Sequence, residues 1–206
     1  MMRSKIQYIS QGETADAQIQ NIRSVLDAGC NWVQLRFKSV SELEVLTVAE
    51  QIKKIMLGYD CTFIINDYPH IAKAVDADGI HLGLDDMDIE QARSIIGPGK
   101  IIGGTANTLN DVIKRHTEQC DYIGLGPFRF TATKDKLSPI LGLKGIQSIM
   151  AGMNEYQIHT PVYAIGGITQ DDIKHIIDTG IYGVALSGYI TSHTQKKELF
   201  SQLNIV

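Results

Sequence analysis

The sequence has 206 residues with a net charge of −4, and 44% of the residues are apolar. This length predicts one domain, spanning residues 1–206, with a sizeable core. The acidic balance argues against a nucleic-acid-binding surface, and no apolar run approaches the roughly 18 residues of a membrane span. The N-terminus has no signal-peptide core, and the three dispersed cysteines favour neither a disulfide framework nor a zinc site, so a cytoplasmic protein is expected.

Short apolar runs alternate with helical patterns along the whole chain. The predicted strands cover residues 5–9, 32–36, 62–66, 79–82, 100–104, 122–125, 162–165 and 183–186. The predicted helices cover residues 15–28, 41–57, a segment from 69, 89–96, a segment from 110, 143–150, a segment after 169, and 195–203. Eight strand–helix units predict a compact (β/α)₈ TIM barrel. An open doubly wound sheet is the alternative, but no GxGxxG motif opens the first helix.

The second strand and its continuation, VQLRFK, carry two cations. The side chains predicted to point into the barrel mouth are Gln34, Arg36 and Lys38, whereas Val33, Leu35 and Phe37 pack against helices. A polyanion would neutralise the cations, because arginine offers a fork and lysine a point charge to phosphate oxygens. The alternative is that they pair with acidic residues of neighbouring strands.

Carboxylates follow the third and fourth strands. Asn66 and Asp67 end the third strand, and Asp86 follows the fourth. Two carboxylates at adjacent strand ends beside a polyanion suit Mg²⁺, which keeps waters and bridges phosphate oxygens. Asp85 or Asp88 could replace Asp86 as the ligand, and Asp67 could instead cap the helix that follows it.

Glycines and a serine end the last two strands. The segments AIGGIT and ALSG place Gly166, Gly167, Ser187 and Gly188 at adjacent strand ends. Backbone N–H groups at this position form the usual phosphate site of such barrels.

The connection after the sixth strand is longer than most βα loops and predicts a functional lid. Thr131, Thr133 and Lys134 supply hydroxyls and a cation, and Arg129 and Lys136 flank them. The alternative is a solvated charged loop.

Two further strands place polar residues near the mouth. Thr105 and Asn107 at the fifth strand end are expected to face it, although a simple turn is the alternative. His81 is expected to be a hydrogen-bonded barrel histidine rather than a base. Two anion subsites with a lid between them predict an enzyme that joins two phosphorylated molecules or isomerises one.

These motifs resemble those of the thiamine phosphate synthases over nearly the whole chain. VQLRFK is similar to V-Q-L-R-x-K, ADGIHLGLDD to A-D-G-[VI]-H-[VL]-G-Q-x-D, and GPFRFTATK to G-P-[VI]-[FY]-x-T-x-T-K. IIND, IGGI and LSG are similar to the remaining strand ends of that family. The resemblance implies an Mg²⁺-using (β/α)₈ enzyme that joins hydroxymethylpyrimidine diphosphate to thiazole phosphate and releases pyrophosphate.

The resemblance also implies roles for individual residues. The diphosphate would be held by Gln34, Arg36, Lys38, Asn66 and Lys134. Mg²⁺ would be held by Asp67 and Asp86, and Thr105 would lie near the pyrimidine. The thiazole half would contact Thr131 and Thr133, and its phosphate Gly167, Leu186 and Ser187. The catalytic residues would be Lys134, Arg36 and Lys38.

The chain departs from the family pattern at four positions. Phe37, Leu84, Asn107 and Phe130 stand where an acidic residue, a glutamine, a histidine and a proline are usual. A thiazole tautomerase, which uses the histidine replaced by Asn107, is one alternative function. A non-catalytic barrel that binds thiamine phosphate is the other. The expected partners are small phosphorylated molecules, and a homo-oligomer is left open.

Overall fold

The computed structural model describes residues 4–130 and 139–203. Eight parallel strands pair in sequence order and close into one barrel, so the predicted (β/α)₈ architecture is confirmed. The strands are β1 Ile6–Ile9, β2 Trp32–Leu35, β3 Thr62–Asn66, β4 Gly79–Leu82, β5 Ile101–Ala106, β6 Tyr122–Leu125, β7 Val162–Ile165 and β8 Gly183–Leu186.

Helices surround this barrel. Those in the described residues are α1 Ala15–Leu26, α2 Glu42–Met56, α3 Pro69–Ala74, α4 Ile89–Ile96, α5 Leu109–Thr117, α6 Gly142–Glu155, α7 Gln170–Ile177, α8 Gly188–Ser192 and α9 Lys196–Leu203. The sequence pattern does not predict α8, because five residues are too few for helical periodicity. None of the helices in the described ranges combines the length and apolar composition that crossing a bilayer requires.

Aromatic side chains fill the barrel interior. Trp32, Tyr122 and Tyr163 are buried and pack edge to face, with ring centroids 4.8 to 5.8 Å apart. A Cβ at Gly103 would overlap the ring of Tyr122, so a glycine on β5 gives that ring its space. The packed centre closes the barrel below its mouth, and the polar strand ends lie above it.

A second apolar layer lies between the strands and the helices. Val33, Leu35 and Phe37 belong to this layer, as strand alternation predicts. The opposite face of β2 carries Trp32 and Gln34, and Gln34 hydrogen-bonds to Asn66 of β3. The alternation along β2 therefore delivers its polar side chains to the barrel mouth.

Candidate active site

A hydrogen-bonded amide pair joins the ends of β2 and β3. Gln34 Nε2 donates to Asn66 Oδ1 at 2.8 Å, and both side chains are buried. Gln34 Oε1 is also buried and accepts no hydrogen bond in the part of the chain that the structure describes. An acceptor left in this state costs free energy unless a ligand donates to it.

Two carboxyl groups and a lysine meet beside this pair. Lys38 Nζ lies 3.0 Å from Asp67 Oδ2. Burial and, after it, the neighbouring carboxyl group of Asp86 raise the pKa of Asp67 to about 6, although Lys38 opposes both effects. Asp67 also has a φ of 67°, a conformation that L residues rarely adopt and that is often found at functional sites. The structure thus brings Asp67 and Asp86 together, as the sequence predicts.

The aspartates at these strand ends differ in whether they cap a helix. The N-cap of α3 is Tyr68, so Asp67 does not cap that helix. Asp88 caps α4, where its carboxylate accepts from the N–H groups of Glu90 and Gln91. Asp86 Oδ2 instead accepts from the N–H group of Gly83 at 2.6 Å. These contacts favour Asp86 over Asp88 as the partner of Asp67.

A cleft of about 680 Å³ opens at the C-terminal ends of the strands. Its wall contains the two cations predicted to bind the diphosphate and three residues predicted to bind the thiazole phosphate: Arg36, Lys38, Gly167, Leu186 and Ser187. A smaller cavity of about 340 Å³ contains Asp67 and Asp86, and the Lys38–Asp67 ion pair lies between the two. Residues far apart in sequence therefore converge on one face of the barrel.

The glycine turn after β7 packs tightly against the chain that leaves β6. Gly166 and Gly167 have φ values of 98° and 68°. A Cβ at Gly167 would lie 2.9 Å from the Cβ of Arg129. The N–H groups of Phe128 and Arg129 donate to the carbonyls of Ile165 and Gly166 at 2.8 and 2.9 Å. The chain that leaves β6 is thus bonded directly to the glycine turn after β7.

An ion pair reinforces this attachment. Arg129 binds the carboxylate of Asp172 through both terminal nitrogens, at 2.9 and 2.8 Å, and also donates to the carbonyl of Gly167 at 2.6 Å. The guanidinium group holds the pKa of Asp172 at about 2. Asp172 additionally accepts from the N–H and hydroxyl groups of Thr169 at the start of α7. Sequence reasoning missed the pair because its partners are 43 positions apart.

The predicted lid residues lie outside the described residues: Thr131, Thr133, Lys134 and Lys136. Both ends of the segment that contains them are described. The N–H groups of Leu141 and Gly142 donate to the carbonyls of Pro127 and Phe128 at 2.9 and 3.0 Å. Its two ends therefore meet beside β6 and β7, at the edge of the large cleft.

A polar chain crosses the barrel below the fifth strand end. Thr105 Oγ1 lies 3.1 Å from His81 Nε2, and His81 Nδ1 lies 3.1 Å from the hydroxyl of Tyr122. Gln7 donates to the same hydroxyl at 3.2 Å. His81 is therefore a buried, hydrogen-bonded barrel histidine, as predicted. Asn107 is buried too, and its amide donates to the carbonyl of Gly126 next to the lid.

The other three departures from the family pattern differ in burial. Phe37 belongs to the apolar layer between barrel and helices, where an acidic side chain would lose its hydration. Leu84 and Phe130 are 37% and 63% exposed at the rim of the mouth. The Asp67–Asp86 pair forms despite these three departures from the family pattern.

Comparison with known proteins points to one family. The family model for thiamine monophosphate synthase matches residues 7–190. The thiamine-phosphate synthase of Flavobacterium psychrophilum is 52% identical over 203 residues, covering 98% of this chain and 98% of that relative. The enzyme of the same name from Bacteroides fragilis is 47% identical over 185 residues, covering 90% of this chain and 91% of the relative. A thiamine phosphate pyrophosphorylase structure from Pyrococcus furiosus aligns with a TM-score of 0.82 at 26% identity, covering 98% of this chain and 97% of that one.

Proposed function

We propose that this chain, which belongs to the thiamine monophosphate synthase family, makes thiamine phosphate and releases pyrophosphate. Its substrates would be 4-amino-2-methyl-5-hydroxymethylpyrimidine diphosphate and 4-methyl-5-(2-hydroxyethyl)thiazole phosphate. The observation that carries the proposal is that Arg36 and Lys38 line the same cleft as the glycine turn after β7 and the serine after β8. The paired carboxyl groups of Asp67 and Asp86 lie beside this cleft. Two anion subsites on one face suit two phosphorylated substrates. A cytoplasmic location and a single domain over residues 1–206 belong to the same proposal.

The carboxyl pair fits Mg²⁺. Asp67 and Asp86 offer only oxygen ligands, and burial followed by the nearby carboxyl group of Asp86 raises the pKa of Asp67, so a divalent cation there would favour the ionised pair. In the described ranges no three His, Cys, Asp or Glu side chains gather to enclose a metal by themselves. Mg²⁺ commonly takes one or two carboxylates and fills its other positions with water and phosphate oxygens. Bound there, it would neutralise charge on the diphosphate.

The buried amide oxygen of Gln34 suits the pyrimidine. Gln34 uses its amide nitrogen on Asn66, so its buried Oε1 can receive a donor from a ligand. The exocyclic amine of the aminopyrimidine is such a donor. We therefore extend the role of Gln34 from the diphosphate to the ring that carries it.

The reaction we propose is dissociative. The bond between the pyrimidine methylene carbon and the diphosphate oxygen breaks, and its electron pair leaves with pyrophosphate. Arg36 and Lys38, with Lys134 from the lid, stabilise the charge that grows on the leaving group. The aminopyrimidine delocalises the positive charge on the methylene. The thiazole nitrogen then donates its lone pair to that carbon, held close by the contacts to its own phosphate.

This mechanism needs no protein nucleophile, and the cysteines are poorly suited to be one. Burial raises the pKa of Cys30 to about 12 and that of Cys120 to about 12. Such thiols carry almost no thiolate near neutral pH. Positioning and electrostatic stabilisation are therefore the sources of catalysis that the site offers.

A pyrophosphate-release assay tests the proposal. We expect release only when both substrates and Mg²⁺ are present, with thiamine phosphate formed in equal amount. A second arm supplies a thiazole phosphate tautomer alone, and its isomerisation without pyrophosphate release would favour a tautomerase. The buried amide of Asn107, bonded to the Gly126 carbonyl, argues against that activity. Binding of both substrates without release would instead favour a non-catalytic barrel.

A further inference from the structure

A buried arginine lies behind the carboxyl pair, on the helix side of the barrel. Arg115 of α5 is only 3% exposed. Its Nε donates to the carbonyl of Thr105 at 3.1 Å, its Nη2 to the carbonyl of Gly83 at 2.8 Å, and its Nη1 to Glu118 at 2.8 Å. A buried guanidinium is costly unless its donors are satisfied, and well-packed apolar residues often stabilise a fold as well or better. Stability alone therefore does not account for an arginine at this buried position.

The two carbonyls belong to neighbouring strand ends that build the mouth. Thr105 lies in β5, and its hydroxyl meets His81. Gly83 follows β4, and its N–H group holds the carboxylate of Asp86 at 2.6 Å. A Cβ on Gly83 would come within 2.7 Å of Asp86 Oδ2, so the carboxylate lies directly against this residue. Arg115 thus binds the carbonyl of Gly83 from the helix side, and the N–H group of Gly83 in turn binds the carboxylate of Asp86.

The surroundings of Arg115 fit its side chain closely. A Cβ at Gly104 would lie 2.6 Å from the Cδ of Arg115, so the side chain crosses β5 at a glycine. Glu118 is one helical turn away and neutralises the guanidinium. Arg115 can therefore reach two carbonyls through the wall of the barrel without leaving its charge unpaired.

We propose that Arg115 is a positioning residue for the divalent cation. It fixes the turn after β4 so that Asp86 presents its carboxylate beside Asp67, and it ties that turn to the end of β5. This inference rests on the proposed role of Asp67 and Asp86 as Mg²⁺ ligands. Residues that orient metal ligands from behind commonly affect metal affinity by about 10–100-fold when replaced.

The test measures cation binding as well as turnover. Arg115→Met removes the fork but keeps a long side chain able to fill the same space. In the full chain with inorganic pyrophosphate present, we expect the dissociation constant for Mn²⁺, followed by its paramagnetic resonance signal, to rise about 10-fold or more. The KM for thiazole phosphate should stay within about twofold, because that phosphate lies at the opposite strand ends.

Matched variants separate the possible failures. Glu118→Gln keeps the arginine and its two carbonyl contacts, so it should leave Mn²⁺ affinity nearly unchanged. If Asp86→Asn binds Mn²⁺ like the parent chain, the proposed metal site itself is wrong. If Asp86→Asn weakens binding but Arg115→Met does not, the positioning role is overturned while the metal site stands. Should Arg115→Met fail to fold, Arg115→Lys takes its place in the Mn²⁺ measurement. Lysine keeps the charge but has no fork to span both carbonyls, so the same loss of Mn²⁺ affinity is expected.

Discussion

The two halves of the barrel mouth hold their functional groups by different means. On the β2–β5 side, buried side chains make the holding contacts: Gln34 bonds to Asn66, and Arg115 bonds to two strand-end carbonyls. On the β6–β8 side, backbone hydrogen bonds hold the glycine turn at Gly166 and Gly167 in place. The first half therefore depends on side-chain identity, and the second on backbone conformation.

This difference matches the demands of the two proposed ligands. In the proposed reaction the diphosphate is the leaving group, so its charge would grow and fixed cations would be useful there. The thiazole phosphate would not react, and neutral N–H groups could bind it without a change in charge. Substitutions in the first half should then lower turnover, whereas substitutions in the second should raise the KM for thiazole phosphate.

The largest expected effect belongs to Lys134, which would connect the two halves from the lid. Lys134→Ala should lower kcat about 10²–10³-fold, because it removes a cation that, in the proposed mechanism, would stabilise the leaving pyrophosphate. The fold should be unaffected, as judged by circular dichroism and the thermal midpoint. Lys136→Ala is the matched control in the same segment and should change kcat only a few-fold. Near-normal turnover of Lys134→Ala would remove Lys134 from the mechanism.

The next effect tests the backbone half. Gly167→Ala should raise the KM for thiazole phosphate about 10-fold, because the turn would have to shift to relieve the Cβ contact and the left-handed strain of ~1–2 kcal/mol. Its φ is 68°, and the new Cβ would lie 2.9 Å from that of Arg129. The KM for the pyrimidine diphosphate should stay within about twofold of the parent value.

Gly180→Ala provides the control for the left-handed backbone alone. Gly180 has a φ of 88°, but nothing lies within 4 Å of an added Cβ. This variant should lose stability without a selective change in either KM. Equal KM changes for both substrates in Gly167→Ala would mean that the turn is not a dedicated phosphate site.

The contrast between the halves also explains what the sequence could predict. Strand alternation was sufficient to place Gln34 inward and Val33 outward, because a parallel strand has a fixed period of two. The order of strands in a barrel then brings Asp67 and Asp86 to neighbouring ends. These predictions need only local geometry and one topological rule.

Contacts between distant segments could not be predicted in this way. Arg115 lies on a helix rich in charged residues, where a charged side chain is typical of a solvated face. Its contact with Gly83 joins positions 32 apart, and only the packing of α5 against the barrel reveals it. The pairing of Arg129 with Asp172 has the same origin.

A smaller effect tests how firmly the chain that leaves β6 is attached to the glycine turn after β7. Arg129→Gln should raise the KM for thiazole phosphate about two- to fivefold, since Arg129 also holds the Gly167 carbonyl. The pair is partly screened, because Arg129 is 50% exposed, and such ion pairs contribute about 0–1 kcal/mol. Asp172→Asn should produce a similar change if the two residues act as one unit. The double variant should then be no worse than either single one, whereas additive effects would show that they act independently.

The smallest effect is the pH dependence of that ion pair. The guanidinium of Arg129 lowers the pKa of Asp172 to about 2, so the folded state binds this proton less tightly than the unfolded chain does. The contribution to stability is therefore complete above the unfolded pKa, about 4, and declines as the pH falls towards 2. The free energy of unfolding of Asp172→Asn should differ from that of the parent chain at pH 7, and the difference should shrink between pH 5 and pH 3. A difference that stays constant over this range would show that the ionised carboxylate of Asp172 contributes little to stability, and the β6–β8 side would then owe little to electrostatics.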